Sequence, residues 1–586
     1  MPEELIRTED FYKFFDEEAN AAIDRWNKLM ELPIEDRIRK RKAIKGVTLD
    51  PDFRELSEDD GVLLKVSFKQ NLSDFKEGEC LILHRENIIS GIECTLIKFE
   101  GENTLILSVY PPNMPPNLYE YKYRDLILDQ NLVDLREHVY NDFIYMLPYG
   151  DEHWEKQLIN TQQSPTFKDL EACRVELDDT IKNFKLNLTD TQKEAVIHSM
   201  AAQDYYLVQG PPGTGKSFVL SLIILEENLY FNHKVIVIGP NHMAINNTLI
   251  QSLKQCPCNG WIVKVGQSYH APHYEVQFNE KTIPIHLLRH PDIDYFNACD
   301  NFWTIGLTPH SLYSNRAIGL ECDTLIIDEA GQMTIPLAMM GMINAKKVIL
   351  AGDHKQLPPI ITSEKVPAKM KKSIFERLMT SENCTLLDVS FRMCKAICDF
   401  VSELFYDGAV KPFHSEGSQL ITGGEPLYDF NHPIILHHID DNGLQTSDQE
   451  AEFITATIAD FVKKGVPASE IGVLSPFRAQ AANIRRHFRK CAELTDESKE
   501  QLTSDTVDKM QGQEREIIIF SLTAGDREYI HEMADFLYNP NKLNVAFSRA
   551  KSKLIIVGNL DEVRQISEQD FPHIGKMLNS ELVTIL

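Results

Sequence analysis

The sequence predicts an α/β protein in which two tandem parallel-sheet domains follow a helical stalk and a small β-barrel. Two observations predict the sheets. Strand-like runs alternate with helical segments from residue 186 to 360, and the alternation is repeated from 361 to 586. A third observation predicts the barrel, because short β-rich runs between residues 47 and 135 are separated by Asp, Gly and Asn turns.

The remaining boundaries follow from changes of hydrophobic period. Apolar residues recur at helical spacing from residue 8 until Gly46, which predicts that the first stalk segment covers residues 1–46. Helical spacing returns over 136–185 and predicts a second stalk segment. A small insertion is expected in the first α/β domain at about 258–301. The Pro-, Lys- and Ser-containing stretch 358–372 is interpreted as a linker.

The charge balance excludes one class of nucleic-acid protein. The 586 residues include 87 acidic and 60 basic side chains, giving a net charge of −27, so the protein is not one that coats nucleic acid electrostatically. A phosphate backbone would have to meet a local basic groove. The densest candidate is Arg37, Arg39, Lys40, Arg41, Lys42 and Lys45. A solvated helix face is an equal alternative for this cluster.

Cysteine usage and hydropathy predict the compartment. The eleven cysteines contain no CxxC pair, which predicts reduced thiols in a cytoplasmic protein, or a nuclear one if the source is eukaryotic. Cys256 and Cys258 come nearest to a metal pair, but two further ligands are lacking. Neither an apolar signal segment nor about 18 consecutive apolar residues occurs, so we expect no membrane partner. We also expect a monomer.

One glycine-rich segment predicts a nucleotide site. The sequence GPPGTGKS follows a strand-like run and precedes an apolar helix, in the order typical of a phosphate-binding P-loop and hence of a RecA-like domain. Its backbone N–H groups and the helix N-terminus would hold the phosphates of ATP. Lys216 would reach the β and γ phosphates, and Ser217 would bind Mg²⁺. The segment consists of Gly210, Pro211, Pro212, Gly213, Thr214, Gly215, Lys216 and Ser217.

A pair of carboxylates predicts the hydrolytic half of the same site. Asp328 and Glu329 end a buried strand-like run, and in a parallel sheet they would emerge at the edge that carries the P-loop. Asp328 is expected to bind Mg²⁺ through its hydration shell. Glu329 is expected to orient and deprotonate the attacking water.

Further segments follow in a fixed order along the chain, and residues 186–560 resemble the superfamily 1B helicases of the nonsense-mediated-decay, senataxin and immunoglobulin-mu-binding type. The segments that carry the resemblance, besides the P-loop, are LTDTQ at 188–192, GPNHMA at 239–244, LTP at 307–309, DEAGQ at 328–332, GDHKQLPP at 352–359, FRMC at 391–394, VDKMQGQE at 507–514 and NVAFSRA at 544–550.

The resemblance implies roles for further nucleotide-site residues. Gln192 would read the adenine edge, Phe391 would stack on the base, and Glu514, beside Gly512, would bond the ribose. Gln356 would sense the γ-phosphate. Arg392 and Arg549 belong to the second domain, so they would neutralise phosphate charge only when the cleft between the domains is shut.

The resemblance also implies a path for single-stranded DNA or RNA across both domains, with 5′ to 3′ polarity. Backbone contacts and stacking faces suit such a path better than groove-reading side chains do. The expected contacts lie at strand-to-loop transitions, and SPFR at 475–478 resembles the TPY element of the family. They are Asn241, Thr308, Pro309, Ser475, Pro476, Phe477 and Thr506.

These patterns together predict an ATP-hydrolysing helicase or translocase. An ATP-gated clamp that grips a strand without separating duplexes is the main alternative. A protein-remodelling AAA-type ATPase shares the P-loop but not the segments at 352–359 and 544–550, and a P-loop kinase needs no second domain of this form. Regulatory protein partners are compatible with the sequence, and DNA and RNA remain equal alternatives as the substrate.

Overall fold

The computed structural model describes most of the chain. The described residues are 5–53, 55–56, 61–85, 88, 91–101, 103–109, 125–147, 154–161, 163–255, 261–266, 275–278, 281–415, 425–429, 431–510, 512–566 and 570–586. Cys256 and Cys258, and with them the possible metal pair, lie outside these residues. So do Gln511 and parts of the expected insertion at 258–301.

The amino-terminal region is a helical stalk interrupted by a barrel. Its elements are α1 Thr8–Met30, α2 Ile34–Arg39, β1 Ala43–Leu49, β2 Glu55–Leu56, β3 Val62–Ser67, β4 Cys80–His84, β5 Ile92–Phe99, β6 Thr104–Val109, β7 Leu126–Gln130, α3 Asn141–Met146, α4 Trp154–Thr161 and α5 Leu170–Phe184. A π-helical turn, Arg136–Tyr140, precedes α3. The six strands β1, β7, β4, β5, β6 and β3 close on themselves through a β1–β3 pairing, and β2 extends the edge. The predicted barrel is therefore present.

Two parallel sheets follow, as predicted. The first has the order β13-β10-β14-β9-β15-β16-β8-β17. Strands β11 and β12 form a separate antiparallel hairpin, which lies between β10 and β13 in the sequence. The elements of this domain are α6 Asp190–Ala201, β8 Tyr205–Gln209, α7 Lys216–Leu229, β9 Val235–Ile238, α8 His242–Gln255, β10 Ile262–Val265, β11 Glu275–Phe278, β12 Lys281–Pro284, β13 His286–Leu288, α9 Ile293–Ala298, β14 Thr304–Gly306, α10 Pro309–Leu312, β15 Cys322–Ile327, α11 Ile335–Met342, β16 Ala345–Gly352, α12 Ile374–Leu378 and β17 Cys384–Leu386.

The second sheet has the order β22-β21-β23-β24-β20-β25. Its domain contains β18 Val389–Ser390, α13 Lys395–Phe405, β19 Lys411–Pro412, β20 Ile434–His438, α14 Asp448–Lys463, β21 Ile471–Ser475, α15 Arg478–Lys490, α16 Asp496–Gln501, β22 Thr503–Thr506, β23 Arg515–Ser521, α17 Arg527–Leu537, α18 Pro540–Phe547, β24 Ala550–Gly558, α19 Leu560–Val563, α20 Pro572–Asn579 and β25 Val583–Ile585. Short 3₁₀ turns occur at Ala330–Gln332, Ala368–Met370, Ala468–Glu470 and Val507–Met510.

Both faces of each sheet are buried, which explains why the sequences of these strands are continuous apolar runs. In β8, Leu207 belongs to one apolar core and the next residue, Val208, belongs to the core on the opposite face. In β23, Ile518 and Ile519 are divided between two cores in the same way. Parallel sheets covered by helices on both sides require this pattern.

Three predicted features differ in the structure. The first helical stretch does not reach Gly46, because β1 runs through that position and bulges there; Gly46 has a φ of +72°, which a bulge tolerates. The first sheet extends past residue 360, since β17 pairs with β8. The stretch 358–372 also packs on the stalk, because the backbone N–H groups of Thr362 and Ser363 donate to Glu18.

The basic cluster at residues 37–45 is largely neutralised within the stalk and barrel. The Arg37 guanidinium is buried and lies 3.1 Å from the Asp129 carboxylate. The other ion pairs join Arg39 to Asp36, Arg41 to Asp74 and Lys45 to Glu35. Carboxylates of the stalk and the barrel region therefore pair with four of the six cations.

Candidate functional site

The segment 210–217 links β8 to α7 at the carboxyl edge of the first sheet. Gly213 and Gly215 have φ values of +75° and +81°, which L side chains rarely adopt. A Cβ on Gly210 would lie 2.8 Å from the Cβ of Lys216, so the tight loop has no room for a side chain there. The loop wraps round the first turn of α7, whose free N–H groups and partial positive charge favour an anion.

Lys216 and the two predicted carboxylates lie together. The Lys216 ammonium is 2.8 Å from the Asp328 carboxylate and 2.6 Å from that of Glu329. Burial alone would lower the pKa of Lys216, but the two carboxylates outweigh it and raise this pKa. Asp328 also accepts a 2.7 Å hydrogen bond from the Thr248 hydroxyl. The lysine is therefore held charged at the place where phosphate charge is expected.

Gln192 lies behind the P-loop and does not line the cavity described below. Its amide nitrogen donates to the carbonyl of Thr214 at 3.0 Å, and its amide oxygen accepts from the backbone N–H of Thr189 at 3.1 Å. The second bond is half of a capping box that begins α6. In this arrangement Gln192 supports the loop, and both ends of its amide are already bonded to protein.

The second domain contacts the P-loop directly. The Phe391 N–H donates to the Gly213 carbonyl at 2.8 Å, and the Ser390 hydroxyl donates to the Pro212 carbonyl at 2.9 Å. A Cβ on Gly213 would lie 2.5 Å from the Cβ of Arg392. The Phe391 ring meets the Phe413 ring at a centroid distance of 4.7 Å. An aromatic face therefore stands beside the phosphate loop, and Ser390 adds a contact that the sequence did not predict.

Arg392 is paired within its own domain. Its Nε lies 2.6 Å from the Glu514 carboxylate, and its Nη1 donates to the Ser548 carbonyl at 3.1 Å. Lys551 approaches the other Glu514 oxygen at 3.1 Å. Burial would raise the pKa of Glu514, but Arg392 and Lys551 outweigh it, so the pKa is lowered. Glu514 is therefore an ionised acceptor at the mouth of the site.

Arg549 is a buried guanidinium for which no carboxylate among the described residues is an ion-pair partner. It donates to the carbonyls of Val545 and Gln513 and, at 3.3 Å, to the amide oxygen of Gln356. Burial lowers the pKa of Arg549 to about 9, and the nearby charge of Arg392 adds to the effect. A buried cation of this kind is stabilised by an anion that enters the cleft.

Most predicted nucleotide residues line one cavity of about 400 Å³ between the two domains. Phe218, Asn247 and Gln251 also line it and were not among the predicted site residues. Asn247 and Gln251 are one turn apart on α8, so their spacing could have indicated a shared face. The predicted residues in the wall are Gly210, Pro211, Pro212, Gly213, Thr214, Gly215, Lys216, Ser217, Glu329, Gln356, Phe391, Arg392, Gly512, Glu514 and Arg549.

The donor set of this cavity fits Mg²⁺ and the triphosphate of ATP. The mostly buried Lys216 of the first domain and the buried Arg549 of the second both line the cavity, beside the glycines of the loop. The Ser217 hydroxyl and the Asp328 carboxylate are oxygen ligands of the kind that Mg²⁺ takes beside a nucleotide. Among the described residues no group of three or more His, Cys, Asp or Glu side chains could hold a metal by itself.

The expected strand contacts in the first domain lie at helix starts. Asn241 is exposed, and its side chain accepts from the Ala244 N–H at 3.0 Å at the beginning of α8. Thr308 precedes α10 and shares a 2.9 Å hydrogen bond with the Ser311 hydroxyl, while Pro309 is buried. The first domain thus leaves Asn241 open to a strand and Thr308 partly open.

The expected contacts in the second domain are mostly buried. Ser475 bonds the Thr523 hydroxyl at 3.0 Å and is adjacent to Thr506 in the β21–β22 register. Phe477 packs against Phe536 at a centroid distance of 5.5 Å. Burial leaves these three side chains little surface for direct contact, whereas Pro476 is partly exposed. Their loops, rather than their side chains, form the surface here.

Within the described part of the chain, every helix is too short or too polar to cross a membrane.

The chain is similar to known proteins over most of its length. Two family models, each described as "AAA domain", match residues 187–286 with 305–364 and residues 370–561. An ATP-dependent helicase of Methanocaldococcus jannaschii is 24% identical, over 90% of each chain. DNA polymerase alpha-associated DNA helicase A of Schizosaccharomyces pombe is 27% identical, over 66% of each chain. A regulator of nonsense transcripts 1 homolog of Arabidopsis thaliana is 27% identical, over 62% of this chain and 32% of its own length.

Among solved structures, the crystal structure of Arterivirus nonstructural protein 10, a helicase, aligns with 90% of this chain and 80% of its own. The TM-score is 0.36 at 11% identity, a value too low to carry an argument. The family therefore follows from the two matched domains, the named relatives and the ordered segments around the cavity. The chain belongs to the superfamily 1 helicases of the nonsense-mediated-decay helicase type.

Proposed function

We propose that the protein hydrolyses ATP between its two α/β domains and uses the resulting opening and closing to move along single-stranded DNA or RNA. The observation that carries the proposal is the shared cavity, in which Lys216 of the first domain and Arg549 of the second face the same space. One relative named as an ATP-dependent helicase and another named as a DNA helicase support the same proposal.

In the proposed reaction each residue has a defined task. Lys216 and the loop N–H groups hold the β and γ phosphates, and Glu329 orients the water and accepts its proton. Ser217 and Asp328 would hold Mg²⁺, which shields phosphate charge when bound. Phe391 offers its face to the base, and Glu514 accepts from the ribose.

Cleft closure is the proposed link between hydrolysis and movement. Arg392 and Arg549 come from the second domain, so they stabilise transition-state charge only while the domains touch. ATP then favours the closed cleft and loss of the γ-phosphate favours the open one. A strand held across 241–244 and 307–309 of the first domain and 475–477 and 506 of the second would advance with each cycle.

Tailed duplexes test this proposal. Duplexes of equal length, made as DNA or RNA and bearing a 5′ or a 3′ single-stranded tail, are mixed with the protein and ATP. We expect strand separation on 5′-tailed substrates and little on 3′-tailed ones. Separation from 3′ tails alone would overturn the polarity. If the protein binds a strand in an ATP-dependent way but separates no duplex, it is an ATP-gated clamp and not a helicase.

A further inference from the structure

A buried polar network crosses from the second domain to the segment 352–359 of the first. Tyr406, the residue after α13, donates its hydroxyl proton to the Asp353 carboxylate at 2.5 Å. The same hydroxyl accepts from the Asn544 side chain at 2.7 Å. All three side chains are less than 9% exposed. Polar groups buried this deeply are costly unless every partner is in place, so the network favours one relative position of the domains.

The network also fixes the orientation of Gln356. The amide nitrogen of Gln356 donates to the Asp353 oxygen that accepts from Tyr406, at 2.9 Å. With the nitrogen held there, the amide oxygen faces the Arg549 guanidinium at 3.3 Å. The reverse orientation would place an N–H group against a cation and lose both contacts. Asp353 therefore decides which way the glutamine amide points.

Two further contacts hold the backbone of the same segment. Asn544 donates to the Lys355 carbonyl at 2.7 Å, and Asn541 donates to the carbonyls of His354 and Gln356. Burial raises the pKa of Tyr406 well above its ordinary value, and the Asp353 charge adds to the effect, so the phenol stays a donor. Side chains of the second domain thus bind both the Asp353 side chain and the backbone carbonyls of this segment.

We propose that Tyr406 is a positioning residue that makes the geometry of Gln356 and Arg549 depend on contact between the domains. The proposal rests on the proposed function, since it concerns how a bound strand accelerates ATP turnover. When the domains part, Tyr406 leaves Asp353, and the carboxylate that orients Gln356 loses a donor that holds it in place. Tyr406 does not line the cavity, so it acts through Asp353 and not on the nucleotide itself.

Tyr406→Phe removes the hydroxyl and keeps the ring. Tyr428→Phe is the matched control, because the Tyr428 hydroxyl also donates to a carboxylate, Asp460 at 2.9 Å, but entirely within the second domain. Turnover is measured with saturating single-stranded oligonucleotide, using whichever of DNA and RNA stimulates the unmodified chain more. We expect Tyr406→Phe to lower the stimulated kcat about tenfold, with the KM for ATP changed less than about threefold. Tyr428→Phe should stay within about twofold in both.

A double-substitution cycle with Asp353→Asn separates positioning from general destabilisation. If Tyr406 acts through Asp353, the second substitution should add less than about threefold to the loss caused by the first. The proposal would be overturned if the losses in the double variant were additive, or if kcat were equal in Tyr406→Phe and Tyr428→Phe. It would also be overturned if Tyr406→Phe melted at a far lower temperature than Tyr428→Phe. If single strands fail to stimulate the unmodified chain, the proposed function itself fails, and that result is distinct from the others.

Discussion

The backbone N–H of Phe391 donates a 2.8 Å hydrogen bond to the carbonyl of Gly213, so the second domain bonds directly to the phosphate loop of the first. Phe391 and Arg392 are neighbours, and Arg392 packs against the same glycine. A movement of either domain therefore changes the loop that would hold the triphosphate. Through this contact, the geometry of the nucleotide-binding loop depends on the relative position of the two sheets.

Gly213→Ala should disrupt this contact specifically. A Cβ there would lie 2.5 Å from the Arg392 Cβ and 2.8 Å from the Ser390 hydroxyl, in addition to the strain of a φ of +75°. Gly465→Ala is the control, because its φ of +97° carries similar strain but no atom lies within 4 Å of the new Cβ. We expect both to lose about 1 kcal/mol or more in a denaturant titration. Only Gly213→Ala should also lower kcat, by about tenfold or more. Equal kcat in the two variants would contradict a role of this contact in turnover.

Arg549→Ala should reduce turnover more than nucleotide affinity. A guanidinium that meets the γ-phosphate in the closed cleft stabilises the transition state, and such arginines contribute about 10³-fold or more to kcat. Arg527→Ala removes an arginine from an exposed pair with Glu562 and should leave kcat within about twofold. Steady-state kinetics would check both. A rise in the KM for ATP at constant kcat would assign Arg549 to ground-state binding instead.

Phe391→Ala should weaken ATP binding without abolishing turnover. Loss of an aromatic face that stacks on a base costs about 1–3 kcal/mol, which is about a 5- to 150-fold rise in the KM for ATP. Phe391→Tyr keeps the face and should remain within about threefold. A KM unchanged in Phe391→Ala would show that the base lies elsewhere in the cavity.

Glu450 predicts a pH dependence of stability. Its carboxylate accepts from the Thr523 N–H and the Ser521 hydroxyl, yet burial dominates and raises its pKa from 4.5 to about 8. Between these values the folded chain binds a proton that the unfolded chain has released, so stability falls as pH rises from about 5 to 8. The slope is at most about 1.4 kcal/mol per pH unit. Melting temperatures should show a flatter profile for Glu450→Gln, whereas an unchanged slope in this variant would exclude Glu450 as its source. Glu528→Gln, at an exposed position, is the control.

Local patterns predicted the sheets well, because buried parallel strands need apolar residues on both faces. Long-range choices were harder to predict. Nothing near Cys384–Leu386 shows that this strand pairs with Tyr205–Gln209, since the partner lies almost 180 residues away in the chain. Ser447 and Glu450 have the spacing of a capping box, and the serine does cap α14, but the glutamate side chain turns into the core and accepts from the Thr523 N–H.

The placement of residues 210–217 between a strand and a helix was predictable, because one continuous segment carries the motif. The site was less predictable where a role depends on packing. Gln192 was expected to read the adenine, but its amide is bonded to Thr214 and Thr189. Ser390 contacts the loop only because the second domain folds against it. Such partners become visible only once the two domains are placed together.

The most direct test of the central claim is ATP turnover measured against the concentration of single-stranded DNA and, separately, RNA. The unmodified chain should turn over ATP at least about tenfold faster at saturating strand. Lys216→Ala should lose this activity by about 100-fold or more, while Lys346→Ala, which removes an exposed lysine of the same domain, should keep it. If turnover is unchanged while strand binding is saturated, a strand-driven motor built on the shared cavity is excluded.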